Sequence, residues 1–212
     1  MPAGPTPDVA EPGRRLGRVC VFCGSSPGRS PAYAAAATEL GRTLAERGIG
    51  LVYGGGSAGL MGALATAALD AGGDVIGVLP AGLFPDGVTA SPLRDHHRGS
   101  FTLEEAVDMH GRKARFHALA DGYIVLPGGM GTLEEMAEVA TWAQIGLHDR
   151  PIGFLDVEGF YDELFAYFDR TVAEGFVRQT SRDQLYVADT VDELLRLLGE
   201  HVPRVEPKWI GT

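Results

Sequence analysis

Short apolar runs rich in valine and isoleucine recur along the chain, each followed by a longer stretch with helical spacing. Val19–Cys23, Ile49–Tyr53, Val75–Leu79, Tyr123–Leu126 and Ile152–Leu155 read as strands buried on both faces, with Leu103–Val107 and Leu185–Val187 as weaker candidates. Between them, helices are predicted over Pro31–Arg47, Leu60–Ala71, Asp108–Ala120, Leu133–Ile145, Tyr161–Glu174 and Val191–Leu198. Ser30-Pro31 is a good helix start, serine capping the first turn and proline taking the first helical position. Alternating strands and helices of this kind predict one α/β domain, a doubly wound and mostly parallel sheet with helices on both faces, over residues 18–200.

Residues 1–17 are dominated by Pro, Gly and charge and read as a disordered leader without the apolar core of a secretory signal; residues 201–212 read as a tail. No apolar run approaches the roughly 20 residues of a membrane span, so no membrane partner and a cytoplasmic location are expected. The formal net charge of -10 argues against nucleic-acid polymers and anionic membranes, yet leaves room for a small anion held by a few local cations. Cys20 and Cys23 lie three apart in a strand and point to opposite faces, which suits buried structural thiols better than a redox pair. The six histidines are scattered, His96-His97 having no third ligand nearby in the sequence, so no metal is expected. Residues 83–99 form a long connection, more suited to function than to idle length.

Ligands bind such sheets at the carboxyl ends of the strands, which directs attention to Gly24-Ser25-Ser26, Gly54–Gly59, Pro80–Gly82, Met109–Lys113 and Pro127–Thr132. Pro127-Gly-Gly-Met-Gly-Thr-Leu-Glu-Glu135 leaves a strand and opens a helix, a setting in which peptide amides and the positive helix end suit a phosphate. Thr132-Leu-Glu-Glu135 fits a capping box, Thr132 at the N-cap and Glu135 at the third helical position. On the helical wheel Leu133, Met136, Ala137 and Ala140 make the apolar stripe, while Glu135 shares its direction with Val139 and Trp142. A carboxylate on a half-buried wall beside a phosphate site is a candidate for chemistry.

Arg112 and Lys113 both project within the apolar face of their helix, marked by Met109, Phe116, Leu119 and Ala120. Two cations facing inward need an anion, either a ligand or a core carboxylate. Lysine occurs only at Lys113 and Lys208, the other sixteen basic residues being arginine. Gly54-x-Gly-x-x-Gly59 matches the dinucleotide fingerprint, but the acid that should follow the next strand is missing there, so a nicotinamide or flavin is a poor fit.

Taken together, Cys23-Gly-Ser-Ser26, Gly54-Gly-Gly56, Met109-His-x-Arg-Lys113, Pro127-Gly-Gly-x-Gly-Thr-x-x-Glu135 and Thr141-Trp-Ala-Gln-x-Gly146 resemble the LONELY GUY family. Its members are cytokinin riboside 5′-monophosphate phosphoribohydrolases, often mislabelled lysine decarboxylases. The resemblance runs from about Arg18 to Val177. It implies a Rossmann-like fold, a homodimer with the active site near the subunit interface, and hydrolysis of a small nucleoside 5′-monophosphate to an adenine-type base and ribose 5-phosphate, with no cofactor. It implies catalytic roles for Arg112 and Glu135. Substrate-binding roles follow for Lys113, Gly128, Gly129, Met130, Gly131, Thr132, Leu133, Glu134 and Thr141, with Ser25, Gly56 and Met109 from the other motifs. Where family members often carry a glutamate after the third strand, this chain reads Phe84-Pro-Asp-Gly-Val-Thr89, with the shorter Asp86. A decarboxylase using pyridoxal would need a Schiff-base lysine, and only Lys113 stands in a candidate position. Two other readings stay open: a non-catalytic nucleotide carrier resembling molybdenum-cofactor carriers, and a nucleosidase of broader specificity.

Overall fold

The computed structural model describes residues 16–82 and 98–203. Seven strands, β1 (Arg18–Phe22), β2 (Gly50–Tyr53), β3 (Asp74–Pro80), β4 (Ser100–Ala106), β5 (Gly122–Val125), β6 (Ile152–Leu155) and β7 (Leu185–Ala188), form one sheet in the order β4-β3-β2-β1-β5-β6-β7. Every pairing is parallel. The connections run outward from β1 to β4, then restart at β5 on the other side of β1. The order therefore reverses between β1 and β5, where a doubly wound sheet opens a crevice at its carboxyl edge.

The helices are α1 (Pro31–Glu46), α2 (Gly59–Asp70), α3 (Met109–Leu119), α4 (Met130–Gln144), α5 (Asp162–Ala173), α6 (Gln179–Arg182) and α7 (Val191–Gly199). Residues of α1, α2 and α7 pack on one face of the sheet with Val19, Val21 and Ile124; residues of α3, α4 and α5 pack on the other with Cys20, Phe22, Tyr123 and Val125. The two-residue alternation along β1 and β5 thus feeds two separate cores. Cys20 and Cys23 fall in different cores, as their spacing predicts, and both are free thiols.

Ser30 caps α1 as predicted, its Oγ accepting from the Ala32 amide at 3.2 Å with Pro31 next in line. The start of α4 differs from the prediction. The helix begins at Met130, three residues before the expected Leu133, its N-cap is Gly129, and no side chain caps it. Thr132 is the third residue of the helix and buried, so the capping box does not form. The chain turns into helix as soon as Gly128-Gly129 frees it from β5, before any hydroxyl is available.

The expected leader reached Gly17, but Leu16 packs in the core, and Gly17 and Arg18 donate their amides to Asp121 Oδ2 at 3.0 and 2.9 Å. At the other end His201 is buried against the Tyr186 hydroxyl at 2.9 Å. The leader's first fifteen residues, the connection 83–97 with Asp86 and His96-His97, and residues 204–212 lie outside the described residues. Among the described residues no helix is long and apolar enough to cross a membrane.

Candidate active site

At the β1/β5 switch the two strand exits are stitched together: the Gly24 amide donates to Pro127 O at 3.0 Å, and Leu60 N donates to Gly24 O at 3.1 Å. A β-carbon on Gly128 would fall 2.1 Å from Thr132 Oγ1 and 2.9 Å from the Gly24 nitrogen, so only glycine lets the exits approach this closely. The Tyr161 hydroxyl donates to Leu126 O at 2.7 Å and fixes the base of the same turn from α5.

Above this joint lies a cleft of about 360 Å³, within the range of small-ligand sites. Its walls come from all the predicted strand exits except Pro80–Gly82: Ser25 after β1, Gly56 after β2, Met109 and Arg112 on α3, and Gly129–Thr132 with Glu135 on α4. Leu79, at the end of β3, stands in for the missing exit. The amides of Met130, Gly131 and Thr132 occupy the first turn of α4, where a helix offers no internal acceptor, and a β-carbon at Gly129 or Gly131 would meet nothing within 4 Å. This uncapped, open helix end has free amides of the kind that suit an anion.

Arg112 sits in the first turn of α3, after Asp108 has capped the helix by accepting from Gly111 N at 2.7 Å. A cation there opposes the helix dipole, so other groups must hold it. Nε donates to Val78 O at 3.0 Å, Nη2 reaches Gly54 O at 3.4 Å, and the guanidinium carbon lies 4.8 Å above the Phe116 ring. The β2–β3 pairing ends at Tyr53↔Gly77, and Arg112 reaches the strand carbonyls just beyond it. Its Nη1 donates to Glu135 Oε1 at 2.8 Å, and the two side chains are 11% and 12% exposed. Burial pushes the Glu135 carboxyl above its ordinary value, and Arg112 pulls it back toward the charged form. Guanidinium and carboxylate thus form a fixed, nearly dry pair on the wall of the cleft that the first turn of α4 also lines.

The glycines of Gly54-x-Gly-x-x-Gly59 serve the packing around this pair. β-Carbons at Gly54 and Gly56 would fall 2.5 Å from Arg112 Nη2 and 2.6 Å from Met61 Cε, and Gly59, at φ 61°, backs onto the Ser25 carbonyl. The glycines admit Arg112 and Met61 to the cleft.

Lys113 departs from the sequence reading. It does not share the inward face with Arg112. It turns toward α4, where its ammonium lies 2.5 Å from Glu134 Oε1 and 2.7 Å from Glu138 Oε2. Those hydrogen bonds, Glu134 first, push its pKa up, the opposite of what a Schiff-base lysine needs. Leu133 and Thr141 also lie outside the cleft, facing a groove along α4, and Gly128 lines the hollows beside the cleft. Of the predicted stripe of Leu133, Met136, Ala137 and Ala140, Met136 is buried in the core, joined there by Val139, while Leu133, Ala137 and Ala140 front that groove. Sequence reasoning missed Met61 and Leu79 as cleft walls and read Cys23 only as a structural thiol, whereas Gly24 and Gly54 belong to the strand exits it had marked. Cys23 is the instructive case: a buried thiol, pushed up by burial, still gives an edge to the cleft. Among the described residues no group of three His, Cys, Asp or Glu is placed to hold a metal.

The solved structures that share the fold include a molybdenum cofactor binding protein from Rippkaea orientalis, 22% identical over 86% of this chain and 95% of that one, with a TM-score of 0.60. A protein-family model described as "Possible lysine decarboxylase" matches residues 61–198. Much nearer in sequence is the rice (Oryza sativa subsp. japonica) "Cytokinin riboside 5'-monophosphate phosphoribohydrolase LOG", 48% identical over 192 residues, 91% of this chain and 76% of that protein. The Arabidopsis thaliana "Cytokinin riboside 5'-monophosphate phosphoribohydrolase LOG1" is 47% identical over 89% of this chain and 85% of its own length. With relatives this similar over most of its length, the chain belongs to the LONELY GUY family of cytokinin riboside 5′-monophosphate phosphoribohydrolases.

Proposed function

We propose that this protein hydrolyses the N-glycosidic bond of adenosine 5′-monophosphates, N6-substituted ones included, releasing the base and ribose 5-phosphate. One observation carries the reading: the buried Arg112–Glu135 pair stands on the wall of the same cleft as the uncapped first turn of α4. The names of the relatives agree with it.

In this mechanism the Met130, Gly131 and Thr132 amides take the 5′-phosphate, and the ribose lies against Glu135. Cleavage of a ribosyl–base bond builds positive charge on the sugar. The Glu135 carboxylate faces that charge and then accepts a proton from the attacking water. Arg112 keeps Glu135 ionised in spite of its burial and aims it; the base departs with the electron pair of the broken bond and takes up the proton that the water gave to Glu135. Ser25, Gly56 and Met109 complete the walls. Leu133, Glu134 and Thr141 act from outside the cleft.

The protein works in this reading as a cytoplasmic homodimer. A groove of about 530 Å³, walled mainly by apolar residues of α4 and α5, leaves Leu133 and Tyr167 39% and 62% exposed, and a second copy would cover it. Light scattering after gel filtration measures that state.

The test of the activity is incubation with AMP, N6-isopentenyl-AMP, GMP and CMP, with free base scored by chromatography. Release from the adenine nucleotides is the expected result. Tight retention of AMP without free adenine would favour the carrier, and equal release from all four would favour the broad nucleosidase.

A further inference from the structure

Two rows of side chains face each other across α3 and α4. On α3, Arg112 and Phe116 point into the core beneath the sheet. One residue further round, Lys113 and His117 point at α4. They meet Glu134, Glu138 and Trp142, spaced four apart on one side of that helix. Lys113 Nζ bridges Glu134 and Glu138. His117 Nε2 lies 3.4 Å from the other oxygen of Glu138, and its ring stacks on Trp142 at 4.1 Å with planes 20° apart. The row continues into the sheet: His117 Nδ1 lies 2.7 Å from the Tyr123 hydroxyl, which accepts from Arg150 at 2.9 Å. These polar groups are partnered by one another, and the Lys113 side chain is only 13% exposed.

The placement matters because Arg112 precedes Lys113 and Glu135 follows Glu134. The inner pair, Arg112–Glu135, and the outer set, Lys113 with Glu134 and Glu138, tie the same two turns of the same two helices. Lys113 is absent from the cleft wall, whereas Arg112 and Glu135 both line it. A cation that bound the phosphate would have to leave two carboxylates to do so.

We infer that Lys113 and Glu138 are positioning residues, which with His117 clamp α3 against α4 from outside the cleft and so set the register of the Arg112–Glu135 pair. Lys113 acts through its neighbours and does not touch the nucleotide. The inference rests on the reading of Arg112 and Glu135 as the reacting pair. The clamp also sets the field at Glu135, which faces Arg112, Lys113, Glu134, Cys20 and Cys23. Loss of the Lys113 charge raises the pH at which Glu135 titrates. Loss of the Glu138 charge leaves Lys113 less neutralised and lowers it.

The experiment compares wild type with Lys113→Met, Lys113→Arg and Glu138→Gln, using AMP and N6-isopentenyl-AMP as substrates. The Glu135 carboxyl carbon is titrated by 13C NMR, its signal identified by its loss in Glu135→Gln. The expected result is a fall of about tenfold in kcat for Lys113→Met and Glu138→Gln with KM held within about twofold, as for a small misplacement of reacting groups. Lys113→Arg recovers most of that rate, and the Glu135 titration moves in opposite directions in Lys113→Met and Glu138→Gln. A KM raised about tenfold or more in Lys113→Met at unchanged kcat, with Glu138→Gln silent, would make Lys113 a phosphate ligand and overturn the inference. If wild type releases no base, the proposed activity fails, and the titration decides the clamp alone: opposite shifts uphold it and an unmoved Glu135 sinks it.

Discussion

Replacing Arg112 by leucine removes the cation from Glu135 while keeping an aliphatic stem over Phe116. The Val78 and Gly54 carbonyls lose their donor, and a carboxylate whose side chain is 12% exposed loses its counter-ion. Breaking a buried pair from one side costs about 3–5 kcal/mol, because the surviving charge stays out of water. In a domain of this size that corresponds to a melting temperature roughly 10 °C lower. The cost depends on pH, and its sign is fixed. Burial already raises the Glu135 pKa, and Arg112 is the largest influence lowering it, so the variant's carboxyl titrates higher still. A group with a raised folded-state pKa contributes stability below its unfolded pKa and loses it as pH rises through the folded one. Urea denaturation at a series of pH values between 4 and 8 is therefore expected to show Arg112→Leu most destabilised at the alkaline end and close to wild type at the acid end. Adding Glu135→Gln should remove most of that pH dependence. A deficit that is the same at every pH, or that survives unchanged in the double variant, would refute the coupling.

Gly128→Ala places a methyl 2.1 Å from Thr132 Oγ1, so it should cost about 1–3 kcal/mol in chemical denaturation and raise KM by displacing the α4 amides; a KM equal to wild type would separate this turn from the phosphate. His148 is held neutral, with Nε2 donating to Val139 O at 2.9 Å and Nδ1 accepting from Arg150 N at 3.1 Å, and burial lowers its pKa to about 4. A lowered folded pKa gives stability that is lost as pH falls from about 6.5 toward about 4. Melting temperatures across that window should fall less steeply in His148→Gln, the remaining slope coming partly from His117; identical slopes would count against the assignment.

The sheet was legible because parallel strands buried on both faces are nearly continuous apolar runs, and six of the seven fall within a residue of their predicted bounds. β4 is an edge strand whose half-buried Glu104 pairs with Arg115, so its apolar signal is diluted. The Arg112–Glu135 pair was legible for a related reason: Arg112 interrupts an apolar helical face, and an inward charge demands a partner. What the sequence hid depends on a single turn of rotation. Lys113 is adjacent to Arg112, and only the packing of α3 on α4 decides that one faces the cleft and the other Glu134 and Glu138. Glycine had two meanings in this chain. At Gly129 and Gly131 it leaves open space, whereas at Gly54 and Gly56 it makes room for Arg112 and Met61. The Thr132 capping box misled because the chain became helical at Met130, two residues before the hydroxyl it needed.

The account depends on the Glu135 carboxylate acting on the sugar while α4 holds the phosphate. Base release by Glu135→Gln, measured beside wild type with saturating N6-isopentenyl-AMP, tests this most directly. Gln keeps the acceptor for Arg112 and loses only the charge. The account predicts a fall of about three powers of ten in kcat with the nucleotide still bound. A turnover within a few fold of wild type would contradict it.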